Sequence, residues 1–335
     1  MIGRILGAVA TACLALAGAT AGAQVPPPPA RPVAALVGTY DGGSTPLDVR
    51  ERDGTLYLNG GGFQLEPVRR SGKSFVISRD SRDRSLTFVR RHGAVTAVIV
   101  DGTSFQRRDY GGEVEAQIRT GGRSDITAIR ARARAITPPA EAPPERAEEL
   151  RNLEKIVPNV RLDIQYAKTN NFVGVPLYEK SGAFLQRPAA EALARVASAL
   201  RPFGYGLLIH DGYRPWYVTR IFWDVTPDSS HVFVADPAKG SRHNRGAAVD
   251  LTLYRLADGK PVEMPSRYDE MSVRAYADYP GGTTRQRWHR DLVRREMERQ
   301  GFTVYPEEWW HFDYRDWQKY AIQNLSLPEL LTRRR

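Results

Sequence analysis

The stretch SRHNRGAAVDLTLY, residues 241–254, decides the fold of the larger part of this chain. Its second half alternates Val249, Leu251 and Leu253 with Asp250 and Thr252, the period-two pattern of a β-strand. A carboxylate inside so apolar a strand is costly unless it is paired or holds a metal, the alternative being an edge-strand surface position. His243 lies seven residues before Asp250, so the two converge only if His243 sits in a loop ahead of the strand and Gly246 permits the bend. In that arrangement the strand is rigid and the loop mobile.

Farther on, EWWH occupies residues 308–311. Glu308 and His311 would point to opposite faces of a regular strand, so a bend after Pro306 is needed if both are to face one site. Taken alone this pair is a weak signal that equally fits a core histidine among aromatics. Joined to His243 and Asp250, it completes two imidazoles and a carboxylate with a second carboxylate to spare. Catalytic zinc sites commonly take three such protein ligands and leave one position open, and an unligated Glu beside them is the natural base.

The surrounding sequence mixes helix and strand signals. Residues 187–201 place Leu193, Val196, Ala197 and Leu200 on one helical face before Pro202. In GYGLLIHDGYRP, residues 204–215, a buried strand over 207–209 delivers Asp211 and Arg214 to its end. A polar-faced helix over 284–300 stops at Gly301, and FTVYPEEWWHFDY, residues 302–314, closes the unit. Without regular βαβ repetition, residues 147–330 read as an α+β domain with a mixed or antiparallel sheet and flanking helices.

The rest of the 335 residues divides by composition. Residues 1–23 read as a secretory signal: Arg4, an apolar run over 5–17 that is short for a bilayer span, and a small-x-small cleavage site at Ala21 and Ala23. Residues 24–34 form an extended, unpacked proline-rich leader. Short apolar stretches at 47–49, 55–58, 74–77, 86–89 and 95–100, separated by turn residues, predict a small antiparallel all-β module over 35–110. The Gly, Arg, Ala and Pro content of residues 111–146 reads as a linker.

Net charge is +10, with basic residues scattered and runs only at Arg130–Arg134 and Arg333–Arg335. For an exported chain this fits an anionic envelope surface and argues against nucleic acid as a partner. The single cysteine, Cys13, lies within the signal, so disulfides and thiolate metal ligands are excluded from the mature chain. No apolar span follows the signal.

SRHNRGAAVDLTL, DGYRP, EWWHFDY and LDIQYAKTNNFVG (162–174) together resemble the D-alanyl-D-alanine dipeptidases of the VanX type, over residues 150–328. The resemblance implies one Zn²⁺ held by His243, Asp250 and His311, with Glu308 as the base that passes a proton to the leaving amine. It further implies that Arg214 stabilises the oxyanion, the alternative being a structural salt bridge with Asp211. Asp269 would meet the free amine of a small D,D-dipeptide, and Ser241 would contact substrate. Residues 36–108 resemble the lipocalin-like β module appended to some bacterial serine hydrolases, which implies no catalysis.

The remaining histidines read as bland. His92 is expected at the surface, His231 and His289 in solvent, and His210, adjoining the strand end, behind the ligands. Trp309 and Trp310 are expected to wall the metal site. The expected function is zinc-dependent hydrolysis of D-alanyl-D-alanine in the periplasm or outside the cell, with cell-wall association through the β module. The alternatives are a murein D,D-carboxypeptidase or endopeptidase with the same ligands, and a non-catalytic wall-binding protein.

Overall fold

The computed structural model describes residues 24–42, 45–60, 63–72, 74–79 and 82–333. The signal expected over residues 1–23 lies outside the described residues. After a short helix, α1 (Arg31–Ala34), come β1 (Gly38–Asp41), β2 (Leu47–Arg52), β3 (Thr55–Gly60), β4 (Phe63–Ser71), β5 (Ser74–Arg79), β6 (Arg82–Arg91), β7 (Ala94–Val100) and β8 (Thr103–Arg107). Each pairs antiparallel with the next, and β8 returns to β1 at Tyr40 opposite Arg107, closing a barrel. Alternation sends Leu47, Val49, Leu56, Leu58, Ile77, Leu86 and Val98 inward. Three hairpins turn on two-residue loops with positive φ at both positions: Asp53 with Gly54, His92 with Gly93, and Asp101 with Gly102. That backbone matches the right-handed twist of the flanking strands.

The leader is packed at its start, where Val25 lies against the core of the C-terminal domain and the Pro26 carbonyl accepts from Arg285 at 3.0 Å. The expected linker over 111–146 requires a larger correction. Residues from Gly112–Ala135 form a helix, α2, broken at Asp125, where φ is −143°. Ala and Arg are strong helix formers, and Ile118, Ile129 and Ala133 are buried. Composition over-weighted the glycines and missed this apolar face. Only the following Pro-rich residues run without regular structure.

The C-terminal domain continues with β9 (Leu150–Asn152), α3 (Leu153–Ile156), β10 (Arg161–Leu162), β11 (Phe184–Gln186), α4 (Arg187–Leu200), β12 (Tyr205–Asp211), α5 (Trp216–Val225), β13 (Ala248–Arg255), α6 (Thr284–Arg299), β14 (Phe302–Tyr305), β15 (Glu308–Tyr314) and α7 (Leu327–Thr332). A five-stranded mixed sheet runs β10-β12-β13-β15-β14, with only β10 and β12 parallel, while β9 and β11 form a separate pair. Strand β13 is central and buried along nearly its whole length, so Asp250 is not an edge residue. On α4, Leu193, Val196, Ala197 and Leu200 are buried as their spacing predicts. Each of the larger ones contributes about 1.5–3 kcal/mol of burial before the entropy of ordering is set against it. Among the described residues, no helix is long and apolar enough to cross a membrane.

Candidate active site

Sheet register assembles the centre of the site. Asp250 on β13 stands opposite His311 on β15 and opposite Asp211 on β12. Three polar residues of three strands therefore share one row of the sheet. His243 reaches this row from a tight helical turn over Arg242–Arg245, just ahead of β13. Ser241 caps the turn, its hydroxyl accepting from the His243 amide while the Asn244 side chain accepts from the Ser241 amide. Buried Asn244 also donates to the Arg214 carbonyl and to Thr219 Oγ1, each at 2.9 Å. The turn expected to be mobile is thus pinned, because its polar groups are bonded internally. It ends at Gly246 (φ +66°), where a Cβ would lie 2.3 Å from Leu150 Cδ2.

Three ligand-type atoms converge: His243 Nε2 is 3.3 Å from Asp250 Oδ1, His311 Nδ1 is 3.0 Å from the same oxygen, and the two nitrogens are 3.1 Å apart. The far side of each ring is occupied. His243 Nδ1 donates to the Gly212 carbonyl at 2.7 Å, and His311 Nε2 to Asp313 Oδ1 at 2.9 Å. These bonds fix the tautomer in which each inward nitrogen, once free of its proton, presents a lone pair, the arrangement that metal-binding imidazoles require. Two imidazoles and a carboxylate aimed at one point form a group that could hold a metal ion. Burial alone would raise the Asp250 carboxyl, but His243 and His311 hold it well below the usual carboxylate range. Burial opposes charge on His311 as well, yet Asp250 and Asp313 lift its pKa to about 10.

Glu308 joins this centre through a break in strand pairing. Val304 pairs with Phe312, but the next residue, Tyr305, pairs with Glu308, so the register shifts between them. The chain bends across 309–311 and brings Glu308 Oε2 to 3.8 Å from His311 Nδ1. Burial pushes the Glu308 carboxyl up to about 7, with His311 drawing it back.

Arg214 is buried below the same centre. Its Nε donates to Asp211 Oδ2 at 2.9 Å, so the salt bridge open as an alternative role is present. One terminal nitrogen also lies 3.7 Å from Asp250 Oδ2, and the guanidinium covers the rings of Tyr166 and Phe222. Asp211 is itself fixed by the Tyr178 hydroxyl and the Gly212 amide.

Asp269 takes a left-handed backbone (φ +56°) and accepts from Tyr166 at 2.8 Å. Burial, reinforced by the charge of Asp250, pushes its carboxyl well up. Arg214, Ser241, His243, Asp250, Asp269, Glu308 and His311 all line one cavity of about 510 Å³.

Sequence reading missed three members of the site. Tyr268 donates to Asp250 Oδ2 at 2.9 Å, Tyr166 holds Asp269, and Asp313 orients His311. Asp313 was discoverable, since i and i+2 share one strand face; the tyrosines carried no local signal. His210 stacks on Tyr268 and bonds the Asp163 carbonyl. His289 is buried, bonded to the Tyr205 hydroxyl at 2.9 Å, and burial lowers its pKa to about 4. His231 stacks on Trp223. A loop position had suggested solvent for His231 and a charged helix for His289, but the His231 ring is half-buried against Trp223 and the His289 ring lies on the packed face of α6. Trp310 lines the cavity, whereas Trp309 donates to Ser266 Oγ, consistent with the alternation of a strand.

Residues 146–328 match the profile of the family described as D-ala-D-ala dipeptidase. The chain is 36% identical over 182 residues to a D-alanyl-D-alanine dipeptidase of Enterococcus faecium, covering 49% of this chain and 90% of that protein. It is 34% identical over 165 residues to the D-alanyl-D-alanine dipeptidase of Escherichia coli (strain K12), covering 49% and 84%. A third such dipeptidase, from Enterococcus faecalis (strain ATCC 700802 / V583), is 33% identical over 178 residues, covering 48% and 88%. The barrel and α2 lie outside the family match.

Proposed function

The chain belongs to the D-ala-D-ala dipeptidase family of M15 peptidases and is a metallopeptidase; from that premise we propose that it hydrolyses D-alanyl-D-alanine with one zinc ion held by His243, Asp250 and His311. The observation that carries the reading is the convergence of His243 Nε2, Asp250 Oδ1 and His311 Nδ1 with an unligated Glu308 3.8 Å from one of them. The donor set suits zinc, being nitrogen and oxygen with both rings oriented from behind. Bound zinc supplies Lewis acidity toward the scissile carbonyl and toward water.

The chain's own groups do the rest. Glu308, with its carboxyl near 7, takes the proton of the attacking water and delivers it to the leaving amine. Arg214 is held by Asp211 and two aromatic rings, so its charge waits where negative charge develops on the carbonyl oxygen. Asp269 is a buried carboxylate whose charge is unfavourable until a cation arrives, and the ammonium of a free dipeptide is that cation. An acylated peptide offers a neutral amide there. The Ser241 hydroxyl, which accepts from its own turn, keeps its proton to donate into the cavity.

The reading includes export, supported by the signal pattern of residues 1–23, and contact between the basic chain and the cell wall. Hydrolysis of free D-alanyl-D-alanine should exceed that of N-acylated and pentapeptide substrates. Strong preference for the acylated forms would make this a carboxypeptidase. A purified chain without stoichiometric zinc, and unchanged by Glu308→Ala, would be a binding protein instead. Cell fractionation that finds the chain in the cytoplasm would defeat the export proposal.

A further inference from the structure

We propose that the barrel and the head of α2 brace the loop that carries Asp269, making Tyr110 a positioning residue for amine recognition. The inference rests on the dipeptidase reading for its substrate, but not for its geometry. Asp269 sits in a loop between β13 and α6, on a left-handed backbone conformation that a non-glycine residue keeps only where its surroundings support it. From inside, Tyr166 holds the Asp269 carboxylate and Tyr268 anchors to Asp250. These contacts fix side chains on the cavity face.

The outer face is held by residues that precede the family match. Glu270, next to Asp269, is buried and gathers Ser272 Oγ at 2.7 Å and Arg274 Nε at 3.2 Å. The Arg274 guanidinium lies over the Tyr110 ring, 4.8 Å from its centroid. Gly111 lies beside the same place, where a Cβ would meet the Met271 amide nitrogen at an ordinary contact distance of 3.5 Å. Glu115, in the first turn of α2, is 3.4 Å from Arg267. At the far end of the loop the Glu51 amide of β2 donates to the Gly282 carbonyl at 3.2 Å, and the Glu51 carboxylate accepts from the Thr284 amide at 2.8 Å. The loop is therefore held at its middle, beside Asp269, and at its far end by the N-terminal part of the chain.

The brace sets where Asp269 stands without touching the reacting atoms. Loss of Tyr110 should therefore weaken substrate binding and leave the chemical step nearly intact. In the full-length zinc enzyme, Tyr110→Ala is expected to raise KM for D-alanyl-D-alanine about tenfold with kcat within about twofold. Tyr110→Phe, which keeps the ring under Arg274, should behave as wild type. Amide hydrogen exchange over 267–274 should accelerate in Tyr110→Ala and not in Tyr110→Phe. Unchanged KM and exchange in Tyr110→Ala would overturn the proposal, as would an equal fall of kcat and thermal stability without a KM effect. If exchange accelerates while the wild-type protein hydrolyses no D-alanyl-D-alanine, the brace stands and the substrate reading fails.

Discussion

His311 does two jobs that depend on which of its nitrogens is considered. Nε2 is tied to Asp313, and Nδ1 faces Asp250 and His243. In the metal-free chain, burial disfavours its charge but the flanking carboxylates win, and its pKa rises to about 10. At neutral pH it therefore carries a proton that a metal must displace. Below that pKa each unit of pH raises the fraction of neutral ring, so zinc affinity should tighten about tenfold per unit between pH 7 and 9. Competition with a chromophoric chelator across that range measures the slope; a flat profile would remove His311 from the ligand set. Exchange of Glu308 for Gln should cut kcat about 10²–10⁴-fold, the usual worth of a positioned base, with zinc content unchanged.

At the scale of elements, the site depends on two departures from regularity. The register shift between Val304 and Tyr305 turns Glu308 toward the face that His311 occupies, and Gly246 turns the chain from the His243 turn into β13. Both backbone devices place catalytic-type groups that uniform strands would separate. Gly246→Ala puts a side chain at φ +66° and a Cβ against Leu150. It should cost about 1–3 kcal/mol of stability and loosen metal binding with it, because the strained residue adjoins the His243 turn. Thermal unfolding of metal-free and zinc-loaded protein would show both effects, and a wild-type melting temperature would refute the strain.

Across the whole molecule, a barrel outside the family match is joined to the peptidase domain at buried polar contacts. Glu51 points into neither core; its carboxylate accepts from the Thr284 amide at the head of α6 and from the Gly54 amide, and Arg287 donates to its carbonyl at 2.9 Å. A carboxylate at a helix N-terminus is worth about 0.3–2 kcal/mol, more when partly buried. Glu51→Gln should therefore lower the unfolding midpoint by an amount equivalent to about 1 kcal/mol. No change would mean that the barrel docks without this charge. The net charge of +10 is a property of the whole surface and assigns no specific partner.

Several features were readable from sequence because they rest on local periodicity or on residue chemistry. The apolar face of α4, the alternation in β13 and the pairing of two histidines with Asp250 and Glu308 are of this kind. Turn chemistry likewise announced the hairpins of the barrel. What only the tertiary structure decided are relations between distant segments. Cross-strand register brought Asp211, Asp250 and His311 into one row, and packing of α2 turned an apparent linker into a helix. Tyr166 and Tyr268 became site residues because the chain returns to the cavity from far away. Sequence by itself determined which groups could do the chemistry, since donor type and strand period are local properties. Their separation, orientation and bracing were decided by long-range pairing and burial, which no local stretch encodes.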